Sequence, residues 1–123
     1  MNDTNIVKAL TALIKPVCGA VYFGRSTVKY PKIDCDMRQL SQDGCLHGFR
    51  LVLDIYTNDG DYPAALEMAD KVRAALSLQK GDIGGGFLSV YHGGSRYNVP
   101  EKDNDKIIHI SDSYEVYFYD KEE

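Results

Sequence analysis

Phe49-Arg50-Leu51-Val52-Leu53-Asp54-Ile55-Tyr56-Thr57, then Asn58-Asp59-Gly60, then Asp61-Tyr62-Pro63 opening a run to Leu78: this stretch decides the fold. Phe49, Leu51, Leu53 and Ile55 alternate with Arg50, Val52, Asp54 and Tyr56, the period of a strand with one apolar face. At Asn58-Asp59-Gly60 the chain turns and the period changes. Asp61 is placed to cap a helix, because its carboxylate can accept a free N–H of the first turn. Pro63 suits that turn, where an N–H has no intrahelical acceptor to lose. Tyr62, Leu66, Ala69, Val72 and Leu76 recur on one stripe, and Glu67 and Lys71 pair on the wet side. Gly81 marks a stop. A strand feeding directly into an amphipathic helix predicts a helix-on-sheet layer, with Leu53 and Leu66 facing each other across it.

Outward from this unit, the N-terminal side supplies a short first helix. Asp3 or Thr4 can cap it, Ile6, Leu10, Leu13 and Ile14 share a face, and Pro16 ends it. Val17 to Phe23 reads as a strand and Gly24-Arg25-Ser26 as a turn. Val28 to Asp34 reads as a second strand, with Pro31 marking an edge or a strand start. Met37 to Gly48 is polar and holds the turn pair Asp43-Gly44, so a loop or a protruding hairpin is expected. On the C-terminal side, Gly84-Gly85-Gly86 precedes a strand over Phe87 to His92, and residues 93–105 form a polar loop. Lys106 to Tyr119 forms the last strand, with a bulge at Ser111-Asp112-Ser113 and Tyr114, Val116 and Phe118 on one face. Residues 120–123 form a frayed, charged tail.

The expected architecture is a single α+β domain over residues 1–123, in the order α-β-β-β-α-β-β. Its sheet is mostly antiparallel and both helices pack on one face. The opposite sheet face would carry Arg50, Val52, Tyr56, Tyr117 and Tyr119. That is more aromatic than a solvated face requires, and it suits either strand propensity or contact with a partner.

Composition narrows function. The 123 residues carry a formal net charge of -4 with no basic cluster, which disfavours binding to a phosphate backbone. The start, Met1-Asn2-Asp3-Thr4-Asn5-Ile6, lacks the basic-then-apolar pattern of a secretory signal, and no apolar run is long enough to span a bilayer. Three cysteines, an odd number, fit reduced thiols in a cytosolic setting.

No catalytic set is legible. The glycines of 81–86 precede a strand and lack a following Gly-Lys-Ser/Thr, so they read as a connection and not a phosphate cradle. Cys35, Cys45 and His47, with His92 and His109 elsewhere, lack the Cys-x-x-Cys pairing that announces zinc, so no metal site is expected. Cys45 and His47 could share one side of a strand as thiol and base, but no helix N-terminus or basic cluster activates the thiol. Asp34 and Asp36 alternate as paired carboxylates might, in a region read as solvated. His109 reads as a partly buried strand residue. No cofactor is implied, and an enzyme is not expected.

Several segments together resemble the tail-terminator and head–tail joining proteins of long-tailed phages and prophages. They are the short first helix, Tyr30-Pro31-Lys32-Ile33, the strand Phe49 to Thr57 followed by the helix Asp61 to Leu78, and the last strand Tyr114 to Tyr119. The resemblance covers most of the chain and rests on pattern, not on a diagnostic motif. It implies an assembly role: copies close into a ring, commonly a hexamer, on the end of the tail tube. The ring stops polymerisation and offers a docking surface to the head. Implied partners are further copies of the chain, a tail tube protein and a head-completion or connector protein. DNA passes through the ring without sequence-specific contact, and no membrane is involved. The implied location is the host cytoplasm during assembly and then the virion. Arg50, Tyr56, Tyr117 and Tyr119, with Asp43, Cys45 and His47 on an arm at 37–48, are the candidate interface. A head-completion adaptor on the portal side, or a ligand-binding or regulatory domain outside phage assembly, remains an alternative.

Overall fold

Two long strands, β3 (Leu46–Thr57) and β6 (Ile108–Asp120), run antiparallel at the centre of the sheet, paired without a break from Leu46 opposite Tyr119 to Thr57 opposite Ile108. The computed structural model describes residues 3–24, 31–57, 60–77, 81–82, 86–96 and 107–120. The remaining elements are α1 (Asp3–Ile14), β1 (Val21–Phe23), β2 (Lys32–Asp43), α2 (Tyr62–Leu76), β4 (Gly81–Asp82) and β5 (Gly86–Arg96). They build one six-stranded sheet in the order β1-β2-β3-β6-β5-β4.

Both helices lie on one face of this sheet. Phe49, Leu51, Leu53 and Ile55 of β3 and Ile108, Ile110, Tyr114, Val116 and Phe118 of β6 point into that layer and are buried. Ile33 and Cys35 of β2, and Leu88 and Val90 of β5, extend it sideways. Ile6, Leu10 and Ile14 of α1 and Ala65, Ala69, Val72 and Leu76 of α2 close it from above. The α2 stripe is therefore shifted from the expected one: Ala65 is buried, while Tyr62 and Leu66 pack only partly against the core. Small alanines at the contact let the helix backbone approach the sheet closely. Asp61 caps α2 as expected, accepting the Ala64 N–H at 3.0 Å, and Lys71 lies 3.4 Å from Glu67.

The α+β class holds, but the sheet is mixed. β1 pairs with β2 in parallel, Val21 opposite Ile33 and Phe23 opposite Cys35, where a hairpin was expected. β1 has only 3 residues, so a connection of eight residues, with a reach of about 26 Å, can return alongside it. The element order also gains β4, two residues paired to Phe87 and Leu88.

Other boundaries move. The strand expected from Val17 begins only at Val21, because α1 ends in a turn in which the N–H groups of Val17 and Cys18 both donate to the Ile14 carbonyl. Met37 to Gly48 is a hairpin, the distal half of β2 joined to β3 through Gly44, which adopts φ 58°. It does not project as an arm: Leu46 pairs with Tyr119, and the Asp120 N–H donates to the Cys45 carbonyl at 2.8 Å. β5 continues to Arg96, into the segment expected to be loop. The irregularity expected in β6 lies across from it in β5, between His92 and Gly94, opposite Ser113. Asp120 is buried within β6 and not frayed. The turn at Arg25-Ser26, the start of the strand at Val28, Asn58-Asp59, Gly84-Gly85, residues 97–106 and 121–123, and the side chains of Asp3 and Thr4 lie outside the described residues.

Leu53 is fully buried and Leu66 is not. Leu53→Ala is therefore expected to cost about 2–5 kcal/mol and Leu66→Ala less than half as much, since a half-buried side chain leaves no closed cavity. Urea unfolding of the two variants checks this; equal losses would mean that α2 presents a different stripe.

Candidate functional site

The sheet face away from the helices is the only broad surface built on rigid strands among the described residues, and its register arranges side chains in rows across β2, β3, β6 and β5. Lys32, Tyr56 and His109 form one row. Next come Asp34, Asp54 and Ser111, then Asp36, Val52 and Ser113. Arg38, Arg50, Glu115 and Tyr91 follow, then Tyr117 beside Ser89, and last Leu46, Tyr119 and Phe87. The face thus has an acidic end, an arginine row and an aromatic end.

At the acidic end, Asp34 and Asp54 stand directly opposite each other on neighbouring strands, an arrangement that repels. The chain compensates it internally. Lys32 Nζ lies 3.3 Å from Asp34 and 4.9 Å from the centre of the Tyr56 ring. His109 stacks on Tyr56 at 4.2 Å, and its Nε2 is 2.7 Å from Asp54. A cleft of about 370 Å³ opens here, lined by Asp34, Cys35, Asp36, Asp54, Tyr56 and Gly24. Burial, reinforced by the Asp34 and Asp54 carboxylates, pushes the Cys35 thiol up to about 12. Cys35 is therefore a protonated core residue and not a nucleophile.

At the aromatic end, Leu46, Phe87, Tyr91 and Tyr119 are each between 43% and 50% exposed, and a shallow cleft of about 310 Å³ runs between Leu46, Phe87, Ser89, Tyr117 and Tyr119. Tyr91 meets Tyr117 edge-on at 6.0 Å. The Tyr117 hydroxyl donates to Glu115 at 3.3 Å, and that carboxylate raises the phenol above its ordinary range.

Of the residues singled out from the sequence, Arg50, Tyr56, Tyr117 and Tyr119 share this face. Asp43 ends β2 beside its aromatic end, and Cys45 lies in the adjoining turn. His47 does not belong with them. It is 2% exposed and opposite Phe118, on the helix-facing side, because it falls on the inward register of β3. Cys45 is in the turn and not on the strand with His47, so the two do not form a thiol–base pair. The alternation on Phe87 to Tyr91 and at Leu46 could have added Phe87, Tyr91 and Leu46 to the face.

A second polar group was not foreseen. Asp112 sits on the inward register of β6, fully buried. Arg73 of α2 reaches it at 3.7 Å and donates to Ser95 at 3.0 Å. Ser95 donates to Asp112, and the Tyr114 hydroxyl donates to it at 3.3 Å. His92 Nε2 is 3.0 Å from Ser95 and 3.9 Å from Asp112. The irregularity at Gly93-Gly94 brings His92 and Ser95, three residues apart, to the same side. The residue types are those of a hydrolytic triad, but the wiring is not. A relay needs the histidine between the other two, with its two nitrogens facing different partners. Here one nitrogen faces both, and the serine contacts the carboxylate directly. The group clamps α2 to β5 and β6. Two signals in the sequence point to it: the glycine pair inside a strand, and an aspartate falling on the apolar register between Ile110 and Tyr114.

No family model matches the chain, and no curated protein matches it. Among solved structures, it is similar to a chain of the virion of a native gene transfer agent particle, with a TM-score of 0.64 and 16% identity over 88% of this chain and 85% of that one. At this identity the likeness shows a shared fold.

Two outcomes follow. Arg73→Ala leaves Asp112 buried without its cation and is expected to cost about 3 kcal/mol, whereas Arg73→Lys recovers part of the loss. A loss near zero by urea unfolding would mean that Ser95 and Tyr114 suffice. The second concerns pH. Cys35 has an ordinary value of 9.0, below its folded one, so its contribution is complete below about pH 9 and is lost as pH rises towards about 12. Urea midpoints should fall between about pH 8 and about pH 11. Cys35→Ala should fall less steeply over that interval, and parallel slopes would assign the loss elsewhere.

Proposed function

We propose that this chain is a structural assembly protein of a phage-like particle, a tail-completion subunit that closes into a ring on the end of the tail tube and joins it to the head. The observation that carries the reading is the aromatic end of the outer face. Leu46, Phe87, Tyr91 and Tyr119 stand exposed together on paired strands. Large apolar side chains held on a rigid support mark interfaces. The shared fold with a chain of a gene transfer agent virion supports a virion role, and so does the resemblance of the sequence to tail terminators. In this reading the subunit has no catalytic step and no cofactor. Its partners are further copies of itself, six in a ring, the tail tube protein and a head-side connector, and DNA passes through the ring. Arg50, Tyr117 and Tyr119, with Asp43 and Cys45 at the hairpin end, form the contact surface. Tyr56 contributes through its stack with Lys32 and His109.

Tyr117→Ser with Tyr119→Ser tests this with little risk to the fold, because Tyr119 is 50% exposed. Each anchor is expected to contribute about 2 kcal/mol to the contact. Electron microscopy of particles assembled with the variant should then show overlong or headless tails, while the thermal melt of the isolated chain barely moves. Normal tails joined to heads would remove this face from the interface. Wild-type protein that never associates with tail tubes would remove the assignment.

A further inference from the structure

We propose that neighbouring copies of this chain join edge to edge, the open side of β2 in one copy pairing antiparallel with the open side of β5 in the next, so that one sheet continues from copy to copy. The join supplies the lateral contact of the ring proposed above and rests on that reading for closure alone. Its starting point is that neither outermost strand covers its neighbour. β1 pairs only with residues 33–35 of β2, which runs on to Asp43. β4 pairs only with Phe87 and Leu88 of β5, which runs on to Arg96. Among the described residues, no strand lies along the free side of residues 36–43 of β2 or 89–96 of β5. The first of these runs is exposed apart from half-buried Met37, and it carries Leu40 at 54% exposure. Unpaired edges of this kind are templates for a further strand.

The two edges match each other in direction, length, position and hydrogen-bonding phase. β2, β3, β6 and β5 are antiparallel in turn, so a second copy in the same orientation presents its β2 antiparallel to β5 of the first. The runs 36–43 and 89–96 are equally long, and each contains one irregularity, at Gln39/Ser41 and at His92/Gly94. With the copies level, β1 of one would meet Ser95 and Arg96 of the other, and β4 would meet Gln42 and Asp43. A slide of two residues, about 7 Å, clears both obstructions at once. The open runs then overlap along their whole length, from Asp36 opposite Arg96 to Asp43 opposite Ser89. An even slide also keeps the outer face of each copy on one side. The backbone phase agrees. The Ile33 N–H donates to the Ala20 carbonyl and the Cys35 carbonyl accepts the Gly24 N–H, so alternation turns the groups of Met37 and Gln39, and past the irregularity Gln42, to the open side of β2. The Asp120 N–H faces β3, which by the same alternation across β6 turns Val90, His92 and Ser95 to the open side of β5. After the slide Met37 meets Ser95, Gln39 meets His92 and Gln42 meets Val90, and these pairs exchange about six main-chain hydrogen bonds. The contact is heterologous, so a closed ring leaves neither edge open. A strand of an unrelated protein could fill one edge, but it would not require the two edges to fit each other.

Disulfide trapping on the full chain tests this register. Ser41 and Tyr91, both exposed, face each other across the join as a non-hydrogen-bonded pair. Such pairs hold their Cα atoms about 4.5 Å apart, within reach of a disulfide. Inside one chain β3 and β6 stand between them, so the bond can form only between copies. Every variant carries Cys45→Ser, since the other two cysteines are buried. Ser41→Cys with Tyr91→Cys is oxidised at about 0.5 mM, a concentration that populates weak contacts for trapping. A non-reducing gel should show a ladder of multimers ending in a closed species, and reduction should collapse it. Asp43→Cys with Ser89→Cys reads the same register at a second pair, in case loss of Tyr91 destabilises the chain. Ser41→Cys with Ser89→Cys, the pair of the level position, and each single variant should give no ladder. Thermal melts establish that the variants are folded. No ladder from either matched pair, or an equal ladder from the level pair, overturns the join. An open ladder without a closed species, together with tail ends that carry no ring, keeps the join and removes the ring. Rings on tail ends whose copies do not cross-link keep the ring and overturn the join.

Discussion

The uninterrupted pairing of β3 with β6 is the constraint on which everything else depends. Twelve consecutive residues of β3 face β6 without a bulge. Because side chains alternate faces, a slip of one residue would put Arg50, Asp54 and Tyr56 into the core and Leu51, Leu53 and Ile55 into water. Burying these apolar side chains, at roughly 1.5–3 kcal/mol each, therefore fixes one register and excludes its neighbour. That register places β2 and β5 on either side, sets where α1 and α2 can pack, and decides which polar residues share the outer face.

The same register forces a cost on the fold. Asp112 falls on the inward side, where a polar group without hydrogen-bond partners is costly to bury. Arg73, Ser95 and Tyr114 converge on it, and they do so from three elements, so the clamp exists only when α2, β5 and β6 are all in place. An apolar residue at position 112 would make a simpler core. The polar group instead ties the rotation of α2 to the break in β5, because only a chain that bulges at Gly93-Gly94 delivers both His92 and Ser95 to the inner side. The chemistry of this group resembles a catalytic triad in composition alone; its geometry is that of a brace.

The outer face is freed from core duty by that arrangement, and its charges and aromatics are segregated along the strands. An acidic row satisfied within the chain, an arginine row whose Arg38 and Arg50 form no ion pair among the described residues, and an exposed aromatic end have different uses. The first is a feature of the fold, whereas the other two are available for contact. The likeness to a chain of a gene transfer agent virion concerns the fold that carries this surface.

Much of this was legible in the chain itself. Alternation over Phe49 to Thr57 named a strand and its buried side, and Asp61 and Pro63 named the start of α2. These are local properties, dictated by the two-residue strand period and by the unsatisfied N–H groups at a helix start. Tertiary structure decided the rest. The parallel pairing of β1, the inward turn of His47, the choice of Ala65 over Leu66 at the helix contact, and the convergence of Arg73, Ser95 and Asp112 depend on contacts between residues far apart in sequence. Periodicity reports which side of its own element a residue occupies. Which element lies across from that side, and at what register, is set by the packing of the whole sheet and its helices.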